Sequence, residues 1–226
     1  MTFIPIETLE VPAGPRPTTS LHYRRNPLAH PERQLATLDQ LPLTAGPSGT
    51  GRFEADLQAS GWPTFTPSRM EIFQINVGKL CNMTCRHCHV DSGPDRTEEN
   101  MVRETVDACL NLMARTGAHT LDLTGGAPEL NPHFRYLVEE ARKRGMHVMD
   151  RCNLTILTVP RFKDLAAFLS ENEVEVVCSL PHYRKLGTDA QRGDGTFEKS
   201  LKALHLLNEV GYGLGDGRRV LSLVTN

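Results

Sequence analysis

Cys81-Asn-Met-Thr-Cys85-Arg-His-Cys88 follows at once on the apolar run Glu71-Ile-Phe-Gln-Ile-Asn-Val77, and that junction decides how the rest of the chain is read. The run has the length and alternation of a strand, and the thiols behind it are spaced C-x3-C-x2-C. A loop this short can aim three thiolates at one centre. Structural zinc wants four closed ligands, and the usual four-thiolate iron–sulfur cluster needs a fourth as well. Three thiolates on a four-iron cluster leave one iron open to a small molecule. The alternative is a zinc knuckle in which His87 or His89 joins Cys81, Cys85 and Cys88, although no second cysteine pair completes the usual split-pair zinc spacing.

Beyond this junction strands and helices alternate. Thr97 is placed to cap a helix whose apolar face is Val102, Val106, Cys109, Leu110 and Met113, with Gly117 ending it. His119 to Thr124 reads as a second strand, and Asn131-Pro132 as the cap and first-turn proline of a helix closed by Gly145. His147 to Asn153, Val174 to Ser179 and Val220 to Asn226 read as strands, with helices over Pro160 to Ser170 and Thr196 to Val210 between them. Such repetition implies a parallel sheet, doubly wound or curled into a barrel. Side-chain alternation favours the barrel. Gln74 and Asn76, then Met149, Arg151 and Asn153, share a face in their strands, while Leu121 and Leu123 alternate with Asp122 and Thr124. Val174, Val176 and Cys178 likewise alternate with Glu175, Val177 and Ser179. One face turns polar toward the C-terminal strand ends, whereas a sheet buried on both sides would be apolar on both.

Residues 1–52 read differently. Ten of the fifteen prolines fall in the first 67 residues, among Gly, Thr and Ser, so 1–52 is expected to be a loosely ordered leader and 53–226 the core, with a turn or two of helix over Phe53 to Leu57. A net charge of -2 offers no general basic field for nucleic acid, and no apolar run is long enough to cross a bilayer. With no signal pattern at the N-terminus, the expected setting is cytoplasmic, where clustered cysteines point to metal or redox chemistry rather than disulfides.

Leu121-Asp-Leu-Thr-Gly-Gly-Ala-Pro-Glu129 places two glycines at a strand end, where backbone can approach a ligand closely. One strand-helix unit after the cysteines, this resembles the radical S-adenosylmethionine (radical SAM) superfamily. The resemblance implies a partial (β/α) barrel, a [4Fe-4S] cluster on Cys81, Cys85 and Cys88, and S-adenosyl-L-methionine chelating the fourth iron, to be cleaved to methionine and a 5′-deoxyadenosyl radical. It implies that Gly125, Gly126 and the backbone around Ala127 and Pro128 hold the methionyl amine. Asn153 and Ser179 would face the ribose and carboxylate, and Arg192 would be a carboxylate partner. A reductant such as flavodoxin or ferredoxin is implied too.

Many superfamily members carry Glu directly after the diglycine; here Ala127 stands there and Glu129 comes two residues later. The wording Thr-Gly-Gly-Ala-Pro-Glu-Leu, with Cys-Arg-His-Cys-His-Val-Asp and Asp-Arg-Cys-Asn-Leu-Thr, is similar to the arsenosugar biosynthesis radical SAM proteins from about Phe53 to Asn226. That family implies transfer of a 5′-deoxyadenosyl group to a dimethylated trivalent arsenic species. It also implies a further strand-helix unit and a cysteine-containing domain beyond Asn226, so the barrel is expected to be incomplete, whether truncated by an early stop or completed by another polypeptide. Two alternatives stay open: a radical SAM reaction on a peptide or cofactor, and a non-catalytic iron–sulfur or zinc-binding remnant. Of the other cysteines, Cys109 and Cys178 fall on core-facing positions. Cys152 is a candidate soft partner for arsenic, although its parity points it away from Asn153.

Overall fold

The computed structural model describes residues 20, 22–26, 29–40, 46–50, 52–66, 68–86 and 88–225. Five strands, β1 (Ile72–Asn76), β2 (Thr120–Thr124), β3 (His147–Asp150), β4 (Glu175–Ser179) and β5 (Leu221–Val224), form one parallel sheet in the order β1-β2-β3-β4-β5. The helices are α1 (Pro31–Asp39), α2 (Phe53–Ala59), α3 (Arg103–Thr116), α4 (Phe134–Lys143), α5 (Leu165–Glu171), α6 (Lys185–Arg192) and α7 (Thr196–Glu209). Strands laid down in sequence order by crossovers of one hand put every connecting helix on the same side. A doubly wound sheet would reverse direction at a switch point and cover both faces; this one does neither.

The two faces show the consequence. On the helix side Leu121, Leu123, Val148, Val176 and Cys178 are buried against Val106, Leu110 and Met113 of α3, Leu137, Val138 and Ala141 of α4, and Ala203 and Leu207 of α7. On the other side the register aligns Gln74 with Asp122, Asp122 with Met149 and Met149 with Glu175. That face is laced by polar bonds: Gln74 Nε2 donates to Asp122 Oδ2 at 2.7 Å, and Arg151 grips the same carboxylate through Nε and Nη2, each at 2.8 Å. Ser222 Oγ donates to Glu175 at 2.8 Å, and His147 Nε2 lies 2.8 Å from the other oxygen. A half-barrel with a polar concave face is the architecture, as the alternation implied.

Several boundaries differ from the sequence reading. Thr97 caps no helix: α3 begins at Arg103, and the residues before it form a loop around the buried guanidinium of Arg96, which pairs with Asp91 at 2.7 Å and with Glu99. Asn131 does not cap α4 either; its Oδ1 accepts the His133 N–H at 2.8 Å, and its Nδ2 donates to the carbonyls of Val77 and Met101. Pro160–Phe162 is a 3-10 turn that precedes α5. The stretch read as a loosely ordered leader contains α1, which starts on Pro31 where a fixed φ suits the first turn and buries no residue. Ser20 docks farther on, its N–H 3.1 Å from Asp95 Oδ1 and its hydroxyl on Oδ2. α6 carried no apolar signal because its only buried side chains are Thr188 and Arg192. Among the described residues no helix is long and apolar enough to cross a membrane.

Candidate functional site

At the C-terminal strand ends a cleft of about 280 Å³ is lined by Cys81, Cys85 and Cys88, by Thr124, Gly125 and Gly126 after β2, by Arg151 and Asn153 after β3, by Ser179 of β4 and by Arg192 of α6. Met83, His89, Val90 and Ser92 from the cysteine loop complete the wall. Side-chain parity and the family resemblance both pointed to these strand ends, and here the segments share one concavity.

The diglycine earns its place through backbone crowding. A Cβ on Gly125, whose φ is +152°, would lie 2.7 Å from the Gly78 carbonyl oxygen. One on Gly126 would meet the carbonyl oxygens of Leu80 and Lys79 at 2.5 and 2.8 Å and the Cys81 Cβ at 2.9 Å. The approach is cemented by Gly126 N–H to Gly78 O at 3.0 Å and Ala127 N–H to Leu80 O at 2.9 Å. On the far side Cys81 N–H donates to Gly93 O at 3.1 Å, and Gly93 N–H to Lys79 O at 3.1 Å. The segment entering the cysteine loop is thus clamped between two turns, and glycine is required for the protein's own contacts before any ligand arrives.

Cys81 is buried, while Cys85 and Cys88 are half-buried and open to the cleft. Burial, reinforced by Cys85 and Cys88, pushes the Cys81 thiol up to about 12, so it becomes a thiolate only when a metal replaces its proton. Two donors point at sulfur: Ser92 N–H to Cys88 Sγ at 3.2 Å and Asn153 Nδ2 to Cys81 Sγ at 3.6 Å. Hydrogen bonds to sulfur are a normal means of tuning an iron–sulfur centre. Three thiolates do not close a structural zinc site by themselves, whereas on a four-iron cluster they leave one iron open to a ligand in this cleft. His87, the other candidate zinc ligand, lies outside the described residues.

The remaining expected residues divide. Gly125, Gly126, Ser179 and Arg192 line the cleft. Ala127 and Pro128 do not: Ala127 packs behind it against Cys81 and Met83, and Pro128 opens the buried 3-10 turn Pro128–Leu130. Asn153 lines the cleft but is already committed. Its Nδ2 donates to Asn82 Oδ1 at 2.8 Å and to Cys81, and its Oδ1 accepts Thr155 Oγ1 at 3.0 Å and Ile156 N–H at 3.1 Å. An amide offers two donors and two good acceptor positions, so Asn153 braces the cysteine loop from its place in the cleft wall. Cys152 is fully buried on the helix side, with Leu154 N–H 3.3 Å from its sulfur, which removes it as a contact for a substrate in the cleft. Cys178 is buried there too, and Cys109 packs half-buried against the core. Arg151 is the cleft residue the motifs missed. Its parity placed it on the polar face, and Asp122 now fixes its direction.

The radical SAM superfamily model matches residues 75–217. Fe-coproporphyrin III synthase of Methanosarcina barkeri is 25% identical over 152 residues, covering 67% of this chain and 37% of that protein. Mycofactocin maturase MftC of Mycobacterium tuberculosis is 30% identical over 132 residues, covering 58% and 33%. This chain thus spans about a third of the length of the curated relatives it matches. Among solved structures, native anSMEcpe with bound AdoMet superimposes with a TM-score of 0.53 at 20% identity, over 69% of this chain and 43% of that one. Streptococcus suis SuiB bound to precursor peptide SuiA gives 0.55 at 15% identity, over 76% and 42%. With the match running from within β1 to beyond α7, and the cysteine loop, the diglycine turn and strands β2 to β4 all inside it, the chain belongs to the radical SAM superfamily.

Proposed function

We propose that the chain is a radical SAM enzyme that cleaves S-adenosylmethionine reductively in the cleft at the strand ends. The observation that carries this reading is the convergence of Cys81, Cys85 and Cys88 with Gly125, Gly126, Ser179 and Arg192 on one concavity. When bound, a [4Fe-4S] cluster supplies the electron and, at its cysteine-free iron, a binding place for the amino and carboxylate groups of S-adenosylmethionine. The protein's share is positional. The clamp around Lys79–Cys81 fixes the buried cysteine, the Gly125–Gly126 backbone borders the methionyl amine, and the guanidiniums of Arg192 and Arg151 face its carboxylate. Ser179 closes the wall beside the ribose, and Asn153 holds the cysteine loop in register. All six cysteines are free, which fits a reducing cytoplasm with a flavodoxin- or ferredoxin-type donor.

For the acceptor, the wording of the cysteine, diglycine and Asp-Arg-Cys-Asn-Leu-Thr segments supports a dimethylated trivalent arsenic species that receives the 5′-deoxyadenosyl group. A second reading, modification of a peptide or a cofactor, is favoured by the names of the relatives, a mycofactocin maturase and a coproporphyrin synthase, and by SuiB with its precursor peptide. One experiment tests both levels. Chain reconstituted anaerobically with iron and sulfide is given S-adenosylmethionine and a reductant, with and without dimethylated trivalent arsenic, and products are followed by mass spectrometry. Reductant-dependent 5′-deoxyadenosine supports the enzyme, and an arsenic–deoxyadenosyl adduct supports the first acceptor. 5′-Deoxyadenosine without the adduct moves the choice to the second reading; zinc in place of iron, or iron with no cleavage, overturns the proposal.

A further inference from the structure

Behind the sheet, on the side away from the cleft, lies a group of side chains that the reaction does not use. Glu129 stands in the 3-10 turn after the diglycine, Asp150 ends β3, and Cys152 follows two residues later. One donor atom from each falls within 4.8 Å of the other two, and all three residues are buried. Independently, all four carboxylate oxygens lack a hydrogen-bond partner among the described residues, with Asp150 fully inaccessible and Glu129 5% exposed. The two carboxyls face each other, and Glu129 faces Cys152, closely enough to hydrogen-bond if a proton sits between them; as carboxylates both are acceptors and neither serves the other. Burial pushes both pKa values up, and for Asp150 the neighbouring Glu129 adds to it; no Arg or Lys figures among the influences on either group.

Such an arrangement is costly unless something is shared by the three groups. Buried polar atoms are ordinarily paired, and an unpaired buried carboxylate is among the most expensive groups a core can hold. Protons could be shared between Glu129 and Asp150 and between Glu129 and Cys152, which cancels charge but holds the three groups only in pairs. A common cation cancels charge and holds all three at once. Oxygen and sulfur ligands of one tetrahedral ion, about 2.1 and 2.3 Å from it, stand about 3.4–3.6 Å apart, within the 4.8 Å that bounds the spread of these three donor atoms. Two hard carboxylates and one soft thiolate match a borderline divalent ion better than magnesium or calcium, which take oxygen alone.

We infer that Glu129, Asp150 and Cys152 form a second metal site, for a divalent cation of the zinc class, with a water taken up alongside the ion as the fourth donor. It is separate from the cysteine loop: its ligands face the helix side of the sheet. Its effect on the cleft is mechanical. The ion ties the turn that follows Gly125–Gly126 to the end of β3, and the next residue after Cys152 is Asn153, which braces Cys81 and Asn82.

The test is metal content and does not depend on whether S-adenosylmethionine is cleaved. The full chain with Cys81, Cys85 and Cys88 replaced by alanine, so that the cleft binds no metal, is equilibrated with Zn²⁺, desalted and analysed by mass spectrometry of the metal. About one zinc per chain is expected, as for a single tetrahedral site, with a melting temperature that rises on adding Zn²⁺ and falls with a chelator. Adding Glu129→Gln and Asp150→Asn, near-isosteric and neutral, should abolish both the retained zinc and the chelator-sensitive melting. If the alanine background does not fold, the reconstituted wild-type chain serves instead, with zinc measured over and above iron and compared with its own Glu129→Gln/Asp150→Asn variant. No zinc in the folded parent chain overturns the inference, and so does zinc that survives the double substitution. A double variant that melts no lower than its zinc-treated parent overturns it too, since it would identify the pair as neutral acids.

Discussion

Gly126→Ala tests the idea that the diglycine is there first to let the cysteine loop pass. The added Cβ would lie 2.5 Å from the Leu80 carbonyl oxygen, 2.8 Å from that of Lys79 and 2.9 Å from the Cys81 Cβ, where real contacts essentially never fall below 3.0 Å. Two of the three obstacles are backbone, so no side chain can swing away, and Leu80 or the turn itself must shift. Overpacking of this kind costs about 1–3 kcal/mol. The Ala127 N–H to Leu80 O bond crosses the same gap, and weakening it adds about 1 kcal/mol, for a total of about 2–4 kcal/mol. Gly117→Ala is the control. It sits at the left-handed end of α3 with φ +73° and nothing within 4 Å, so only backbone strain of about 1–2 kcal/mol is expected. Urea denaturation of the apo chain gives both stabilities, and iron per chain after anaerobic reconstitution reads the position of Cys81. Gly126→Ala should lose the larger stability and much of its iron, while Gly117→Ala keeps wild-type iron. Wild-type iron in Gly126→Ala, or equal iron loss in both variants, would refute the argument, because the cysteine loop would then be indifferent to the turn or responding to stability alone.

Asn153→Ala removes a donor to Cys81 Sγ and an acceptor for the buried Ile156 N–H. The expected cost is about 2–4 kcal/mol from orphaned buried groups, with a more negative cluster reduction potential by spectroelectrochemical titration, since hydrogen bonds to sulfur favour the reduced, more negative state. An unchanged potential in a folded variant would count against the brace. Asp122 supplies the pH dependence. Burial opposes its ionisation, but the Arg151 and Gln74 hydrogen bonds outweigh burial and hold its pKa below the ordinary carboxylate value. A depressed native pKa contributes stability that is present above the unfolded value, near 3.9, and is lost as pH falls through the native one. Asp122→Asn should therefore cost about 1–2 kcal/mol at pH 7, discounted for the partly exposed Arg151, and the gap to wild type should narrow below about pH 4 in acid melts. A gap that is constant with pH would assign the loss to packing.

What the sequence made legible followed from regular spacing. The five strands declared themselves because apolar alternation has to match the pleat, and the polar parity of Gln74, Asp122 and Arg151 already described a face without helices. The cysteines and glycines were legible because few other residues can do their work. What stayed hidden depended on contacts between distant segments. α6 buries only polar side chains, so it has no periodic apolar signature. Thr97 looked like a cap because capping chemistry is local, yet the buried Arg96 with Asp91 and Glu99 claims that segment for a loop. Asn153 was placed on the cleft face, but its bonds to Cys81 and Asn82 were not legible, because those residues lie more than seventy residues away in the chain. Asp150 alternates with Met149 and Arg151, so its parity turned it toward the helices, and only the fold shows that Glu129 meets it there.

That displacement of charge bears on how the cleft works. Superfamily members commonly have Glu directly after the diglycine, whereas here Ala127 fills that position, buried against Cys81 and Met83. The next carboxylate in the chain, Glu129, is turned through the wall to the helix side. Among the described residues lining the cleft there is consequently no Asp or Glu, while Arg151 and Arg192 both contribute. In the proposed enzyme three thiolates and a substrate carboxylate would bring negative charge to this place; Arg151 already shares its charge with the buried Asp122 carboxylate, and Arg192 adds a second guanidinium, which acts more strongly in a confined site than in water. The amine of S-adenosylmethionine would there meet backbone at the Gly125–Gly126 turn rather than a carboxylate side chain, so the hydrogen bonds that tie this turn to Gly78 and Leu80 would bear on the alignment of the ligand.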